Sequence, residues 1–161
     1  MEEVVSDLSL FMKISLVTIT PRRLDPSGPP ARWLQLYIER SQRYLPCEHR
    51  TLPSEAALLR FLQDATGRTR PILLLADSRG EQLTSEEFAA LLGRIQDDGA
   101  QSLIFAIGPP DGWSPAAIAV ASRRIAFGRI TLPHELAAVV AAEQIYRALT
   151  IRAGHPYHSG H

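Results

Sequence analysis

The chain has 161 residues, of which 45% are apolar and 21% charged, and its formal net charge is zero. That length predicts one domain with a substantial buried core. The neutral balance excludes a protein that grips nucleic acid by bulk charge, and no apolar run approaches the ~18 residues of a membrane span, so neither DNA nor a membrane is an expected partner.

Residues 1–11 read as an N-terminal extension and residues 12–161 as one domain. The extension carries Glu2 and Glu3 where a secretory signal would be basic. Cys47 is the sole cysteine and cannot form an internal disulfide. Both features predict a cytoplasmic protein.

Ile14 to Ile19 is a first strand, and a Pro/Gly-rich loop from Pro21 to Pro30 follows it. Ala31 to Leu45 reads as a helix with Leu34, Ile38 and Leu45 near one face. An extended piece surrounds Cys47 to Leu52. Ser54 is placed to cap a helix to about Ala65. Pro71 to Ala76 is a continuous apolar strand, and Asp77-Ser78-Arg79-Gly80 reads as a turn. Thr84 with Glu87 three positions on is a capping box, opening a helix to about Asp97. Ser102 to Ile107 is another buried strand, followed by the loop Gly108-Pro109-Pro110-Asp111-Gly112. Ser114-Pro115 supplies a cap and a proline at the first helical position of a helix to Arg124. Ile125 to Ile130 reads as a strand, and Pro133 opens a last helix ending near Leu149. Residues 150–161 form a Pro/Gly/His tail.

Strand and helix thus alternate five times. That pattern predicts an α/β fold, a mostly parallel sheet with helices on both faces. Ligands in such sheets bind in a crevice beyond the carboxyl ends of the strands. Three loops qualify: 77–80, 108–114 and 131–133.

Phosphate-cradling motifs are absent: the chain has neither GxxxxGK[ST] nor a GxGxxG after a strand. Cys47, His49, His155 and His158 are metal-ligand types, but their spacing matches no zinc site, and no metal is expected. Ser114 reads as a helix cap, since no GxSxG elbow surrounds it. From Trp113 onward the chain carries five arginines (Arg123, Arg124, Arg129, Arg147, Arg152) against Glu135 and Glu143. His134, His155, His158 and His161 also lie there, giving this end a local basic and titratable character.

Several segments carry a family likeness. They are Leu132-Pro133-His134-Glu135-Leu136, Ala142-Glu143-Gln144-Ile145-Tyr146-Arg147-Ala148 and His155-Pro156-Tyr157-His158. Upstream, Asp77-Ser78-Arg79-Gly80 with Ser85-Glu86-Glu87-Phe88-Ala89, and Phe105-Ala106-Ile107-Gly108 through Asp111-Gly112-Trp113-Ser114, belong with them. From about Met12 to His158 the chain resembles the RlmH family of SPOUT-class methyltransferases, which methylate N3 of a pseudouridine in large-subunit (23S) ribosomal RNA.

The resemblance implies a SPOUT fold with a deep C-terminal trefoil knot. It implies a homodimer with ribosomal RNA and the ribosome as partners, and S-adenosylmethionine as cofactor without a metal. The cofactor pocket maps to Ala76, Gly108, Phe127, Gly128, Arg129, Ile130, Thr131 and Leu132. In the tail, His155, Tyr157 and His158 are the candidates for catalysis: either histidine for the proton, the tyrosine for the base. Arg129, Arg147 and Arg152 are candidates for RNA phosphate.

Four departures from the family pattern stand out. Pro109 replaces the second glycine of a pair, Ala76 stands where leucine is usual, and Thr20-Pro21-Arg22-Arg23 replaces a Gly-Lys. The family's lysine-rich segment after Cys47 is missing. They motivate two other readings: a SPOUT enzyme acting on another RNA base, and a ribosome-binding relative without catalysis.

Overall fold

The structure is a computed structural model that describes residues 11–22, 24–65, 67, 69–109 and 111–160. Apart from Phe11, the N-terminal extension read over residues 1–11 lies outside them, as do Arg23, Pro110 and His161.

Among the described residues, five strands form one all-parallel sheet: β1 (Lys13–Ile19), β2 (Cys47–Leu52), β3 (Ile72–Gln82), β4 (Ser102–Ile107) and β5 (Arg123–Ala126). Their order across the sheet is β2-β1-β4-β3-β5. The helices are α1 (Pro29–Ser41), α2 (Glu55–Asp64), α3 (Ser85–Asp97), α4 (Pro115–Val120) and α5 (His134–Arg152). The central strands are apolar on both faces because both are covered. On one face Leu16, Leu74 and Phe105 pack with side chains of α1, α3 and α5. On the other, Val17, Leu75 and Ile104 pack with Leu58 of α2 and Ala117 of α4.

Local sequence sets the helix starts. Ser54 Oγ accepts the Ala57 N–H at 3.1 Å, and Ser114 Oγ accepts the Ala117 N–H at 3.3 Å. Thr84 and Glu87 form the reciprocal box, each backbone N–H donating to the other's side chain at 3.1 Å. α3 carries Phe88, Leu91 and Leu92 into the core. Thr84→Ala is therefore expected to cost about 1 kcal/mol, read as a lower urea midpoint at unchanged slope. An unchanged midpoint would show that packing alone holds this end. α5 buries residues around most of its circumference, as a helix wedged between α1, α3 and the sheet must.

Several expected boundaries shift. α1 begins at Pro29 and ends at Ser41 rather than running from Ala31 to Leu45, because Pro29 and Pro30 occupy first-turn positions that need no N–H donor. α5 runs on to Arg152. The turn at Asp77–Gly80 does not end its strand. Ala76 and Glu81 both pair with Ile125, so four residues arch out and β3 then rejoins β5. Gly80 makes that return possible: a Cβ there would stand 2.6 Å from the backbone carbonyl of Arg124. The expected strand from Ile125 to Ile130 stops at Ala126, because Phe127 turns inward to stack on Phe105 at a centroid distance of 6.0 Å. Among the described residues, no helix is long and apolar enough to cross a membrane.

Candidate functional site

Beyond the carboxyl ends of β3, β4 and β5 lies a cleft of about 700 Å³. This is within the roughly 300–1,000 Å³ of small-molecule sites. All three loops singled out from the sequence contribute to it. From the first come Ala76, Asp77, Ser78 and Arg79, and from the second Gly108, Pro109, Asp111, Gly112 and Trp113. Phe127, Ile130, Thr131, Leu132, Pro133 and His134 complete it, with Ile107, Ile125 and Ala137 at its floor.

Trp113 holds two of these loops together. Its indole N–H donates to the Ala76 carbonyl at 2.9 Å, and its ring covers Gly108 so closely that a Cβ there would lie 2.6 Å from it. Ala76, standing where leucine is usual, leaves room at this wall, and the buried indole occupies part of it. Gly112, at φ +84°, supplies the left-handed turn that brings Trp113 back over the loop. Ser114 then starts α4, as its cap reading required. Its backbone N–H and hydroxyl also donate to the Glu55 carboxylate at 2.8 and 2.5 Å, tying α4 to the start of α2.

Asp77 is a charged group at the cleft wall whose side chain is only 7% exposed. Burial works against its charge, but the Arg79 backbone N–H at 2.9 Å and the guanidinium of Arg124 at 3.2 Å outweigh it. The carboxyl is held below its ordinary range, and Asp77 stays an anion.

Two of the expected cofactor residues lie elsewhere. Gly128 lines an adjoining cleft of about 340 Å³ between the β5 end, α3 and α5, and Arg129 is exposed. Ile130, by contrast, stands 67% exposed at the mouth of the main cleft. Asp77, Trp113 and His134 line it without having been expected as cofactor residues. Their signal in the sequence was adjacency to the loops already marked.

Among the described residues, none of the tail lines the cleft of its own chain. The tail folds back on α5 through a continuous chain of polar contacts. Tyr157 Oη donates to Glu143 Oε1 at 3.2 Å, and Arg147 pairs with the same carboxylate at 2.7 Å. Arg147 Nη1 also meets His158 Nδ1 at 3.0 Å, and His158 Nε2 meets Glu86 Oε1 of α3 at 2.6 Å. The Tyr157 ring packs edge-on against Tyr146 at 4.7 Å. Burial, and then the charge of Glu143, push the Tyr157 phenol up to about 12, so it remains a neutral donor. His155 is exposed, and its Nδ1 accepts the Tyr157 backbone N–H at 3.2 Å. Arg147, expected at phosphate, is thus engaged within the chain, and the Arg152 guanidinium passes over Gly93 of α3.

Among the described residues, Cys47 and His49 belong to no cluster of three or more ligand-type side chains. Cys47 is packed in the core, where burial and then Glu48 push its thiol up to about 12, and His49 bonds Thr18 at 2.9 Å.

An all-parallel α/β sheet with a crevice where loops from three strand ends converge defines a protein of the open-sheet α/β class, whose ligand sites lie at such crevices. Comparison with known proteins narrows this. A family model described as "Predicted SPOUT methyltransferase" matches residues 12–158. The ribosomal RNA large subunit methyltransferase H of Koribacter versatilis (strain Ellin345) is 52% identical over 125 residues, covering 78% of this chain and 85% of that protein. The protein of the same name from Brucella ovis is 55% identical over 86 residues, 53% of this chain and 51% of that one. The crystal structure of the SpoU methyltransferase AviRb from Streptomyces viridochromogenes, in complex with AdoMet, aligns with a TM-score of 0.50 at 11% identity. That alignment covers 89% of this chain and 59% of that chain, and it speaks for the fold alone. The chain belongs to the SPOUT methyltransferase family.

Proposed function

We propose that this protein transfers a methyl group from S-adenosylmethionine to N3 of a pseudouridine in large-subunit ribosomal RNA. The observation that carries the reading is the cleft at the ends of β3, β4 and β5, in a chain half identical to curated methyltransferases of that RNA. Its residues fit an adenosyl group. Phe127, Ile107 and Leu132 offer apolar surface, and Gly108 lines the same wall beneath the Trp113 ring. Ala76, Gly108, Phe127 and the stretch from Ile130 to Leu132 would hold the cofactor, which would supply a methyl already activated by its cationic sulfur.

The chain's own task is then to orient the base and accept the N3 proton. Tyr157, His155 and His158 are the residues for it. In this chain they stand apart from the cleft, which favours a homodimer in which the tail of one protomer serves the cleft of its partner. Arg129 and Arg152, both exposed, are placed for phosphate, and Arg147 joins them once released from His158. A trefoil knot belongs to the same reading. What supports it is the SPOUT family match over residues 12–158.

Calorimetric titration with S-adenosylhomocysteine tests the cofactor part. Saturable binding at micromolar concentrations is the expected result. No detectable binding would overturn it and favour the ribosome-binding relative. Mapping of methylated bases in ribosomal RNA from a deletion strain tests the target, and an unchanged pseudouridine would point to another base.

A further inference from the structure

The contacts around His158 discriminate between its two ring nitrogens. A guanidinium has no acceptor, so the contact between Arg147 Nη1 and His158 Nδ1 at 3.0 Å requires a lone pair on Nδ1. The proton of the neutral ring is then on Nε2, which donates to Glu86 Oε1 at 2.6 Å. We propose that Glu86, in the first turn of α3, is a positioning residue that fixes this tautomer and makes His158, through Nδ1, the group that accepts the substrate proton.

The inference rests on the methyl-transfer reading above and decides between the two tail histidines. His155 Nδ1 is committed to the Tyr157 backbone N–H, which cannot withdraw without undoing the turn. His158 Nδ1 is covered only by a side chain. Arg147 also pairs with Glu143 and lies over the Tyr157 ring, and drawing its Nη1 toward an RNA phosphate would uncover Nδ1. The proton on N3 then passes to Nδ1 while N3 bonds the methyl carbon, and the pair of the broken carbon–sulfur bond stays on sulfur. The resulting imidazolium donates through Nε2 to Glu86, and its proton returns to water. A carboxylate that orients a histidine and steadies its charged form is a recurrent device.

The charged and titratable groups in this neighbourhood are Glu86 on α3, Arg147 and Glu143 on α5, and Tyr157 in the tail, with Tyr37 of α1 beside Arg147 and Tyr157. The His158 hydrogen bond holds the Glu86 carboxyl below its ordinary range, in keeping with an anionic partner.

The test has two independent arms. In the first, protein labelled with ¹⁵N-histidine is observed by two-bond ¹H–¹⁵N NMR, which needs no substrate. Wild-type His158 is expected as the Nε2–H tautomer, and Glu86→Ala is expected to give a mixture. A wild-type Nδ1–H signal, or a Glu86→Ala spectrum unchanged at His158, overturns the proposal. In the second arm, kcat is followed against pH. Activity requires Nδ1 unprotonated and therefore rises with pH along an acidic limb. Glu86→Gln keeps an acceptor but removes the charge that favours the imidazolium. Its acidic limb should move to lower pH while its plateau falls. Glu86→Ala should lose roughly ten- to a hundredfold in kcat, a fraction of what a general base contributes, with KM for S-adenosylmethionine unchanged. An unshifted limb in both variants also overturns the proposal. Absence of any methylation by the wild type would count against the methyl-transfer reading, while the NMR arm still decides the tautomer.

Discussion

Gly108→Ala is expected to weaken S-adenosylhomocysteine binding by about ten- to a hundredfold, the effect of roughly 1–3 kcal/mol of overpacking in the cleft. The added methyl would stand 2.6 Å from the Trp113 ring, which is itself buried and pinned to the Ala76 carbonyl. Neither neighbour yields cheaply. The ring must leave its hydrogen bond, or the Gly108–Pro109 backbone must shift into the space a ligand would use. Both outcomes remodel the wall shared by two cleft loops. Titration calorimetry on the variant reads the affinity, and the Trp113 fluorescence maximum reports the ring's displacement. Unaltered affinity with an unaltered maximum would mean that the loop has slack.

The second large effect concerns stability. Phe105→Ala should lower the unfolding free energy by about 3–5 kcal/mol, much of the 5–15 kcal/mol typical of a domain. Phe105 is 1% exposed, at the centre of the sheet. It meets Phe88 of α3 edge-on at 5.9 Å and stacks with Phe127 at 6.0 Å. Its loss leaves a cavity beneath strand, helix and cleft loop together, and tightly packed surroundings relax only in part. Urea unfolding followed by circular dichroism would register it as a lower midpoint. A loss below about 1 kcal/mol would mean that neighbours collapse into the space. Phe127 borders both clefts, so the variant should also bind S-adenosylhomocysteine more weakly.

These two residues differ in how far the sequence foretells them. Phe105 lies in an uninterrupted apolar run, and such a run alternating with capped amphipathic segments already specifies a buried parallel strand. The tight glycine–tryptophan contact depends on how the loop closes over itself, and nothing in a GxxxGW spacing states it. The tail shows the same division. Its rings and charges are plain in the sequence, but Glu86 and His158 are 72 residues apart, and only folding makes them partners.

What the sequence by itself determined was local or periodic: five strand–helix alternations, the caps at Ser54, Thr84 and Ser114, the three ligand-facing loops, and the family motifs. Each follows from residues within about a dozen positions, where propensity, capping and hydrophobic period act directly. Tertiary structure alone decided the strand order, the arch at Asp77–Gly80, the early end of β5 at Phe127, and the docking of the tail away from its own cleft. Those features are set by which distant surfaces exclude water from one another and which distant polar groups satisfy one another. Such terms become defined only when the whole chain packs.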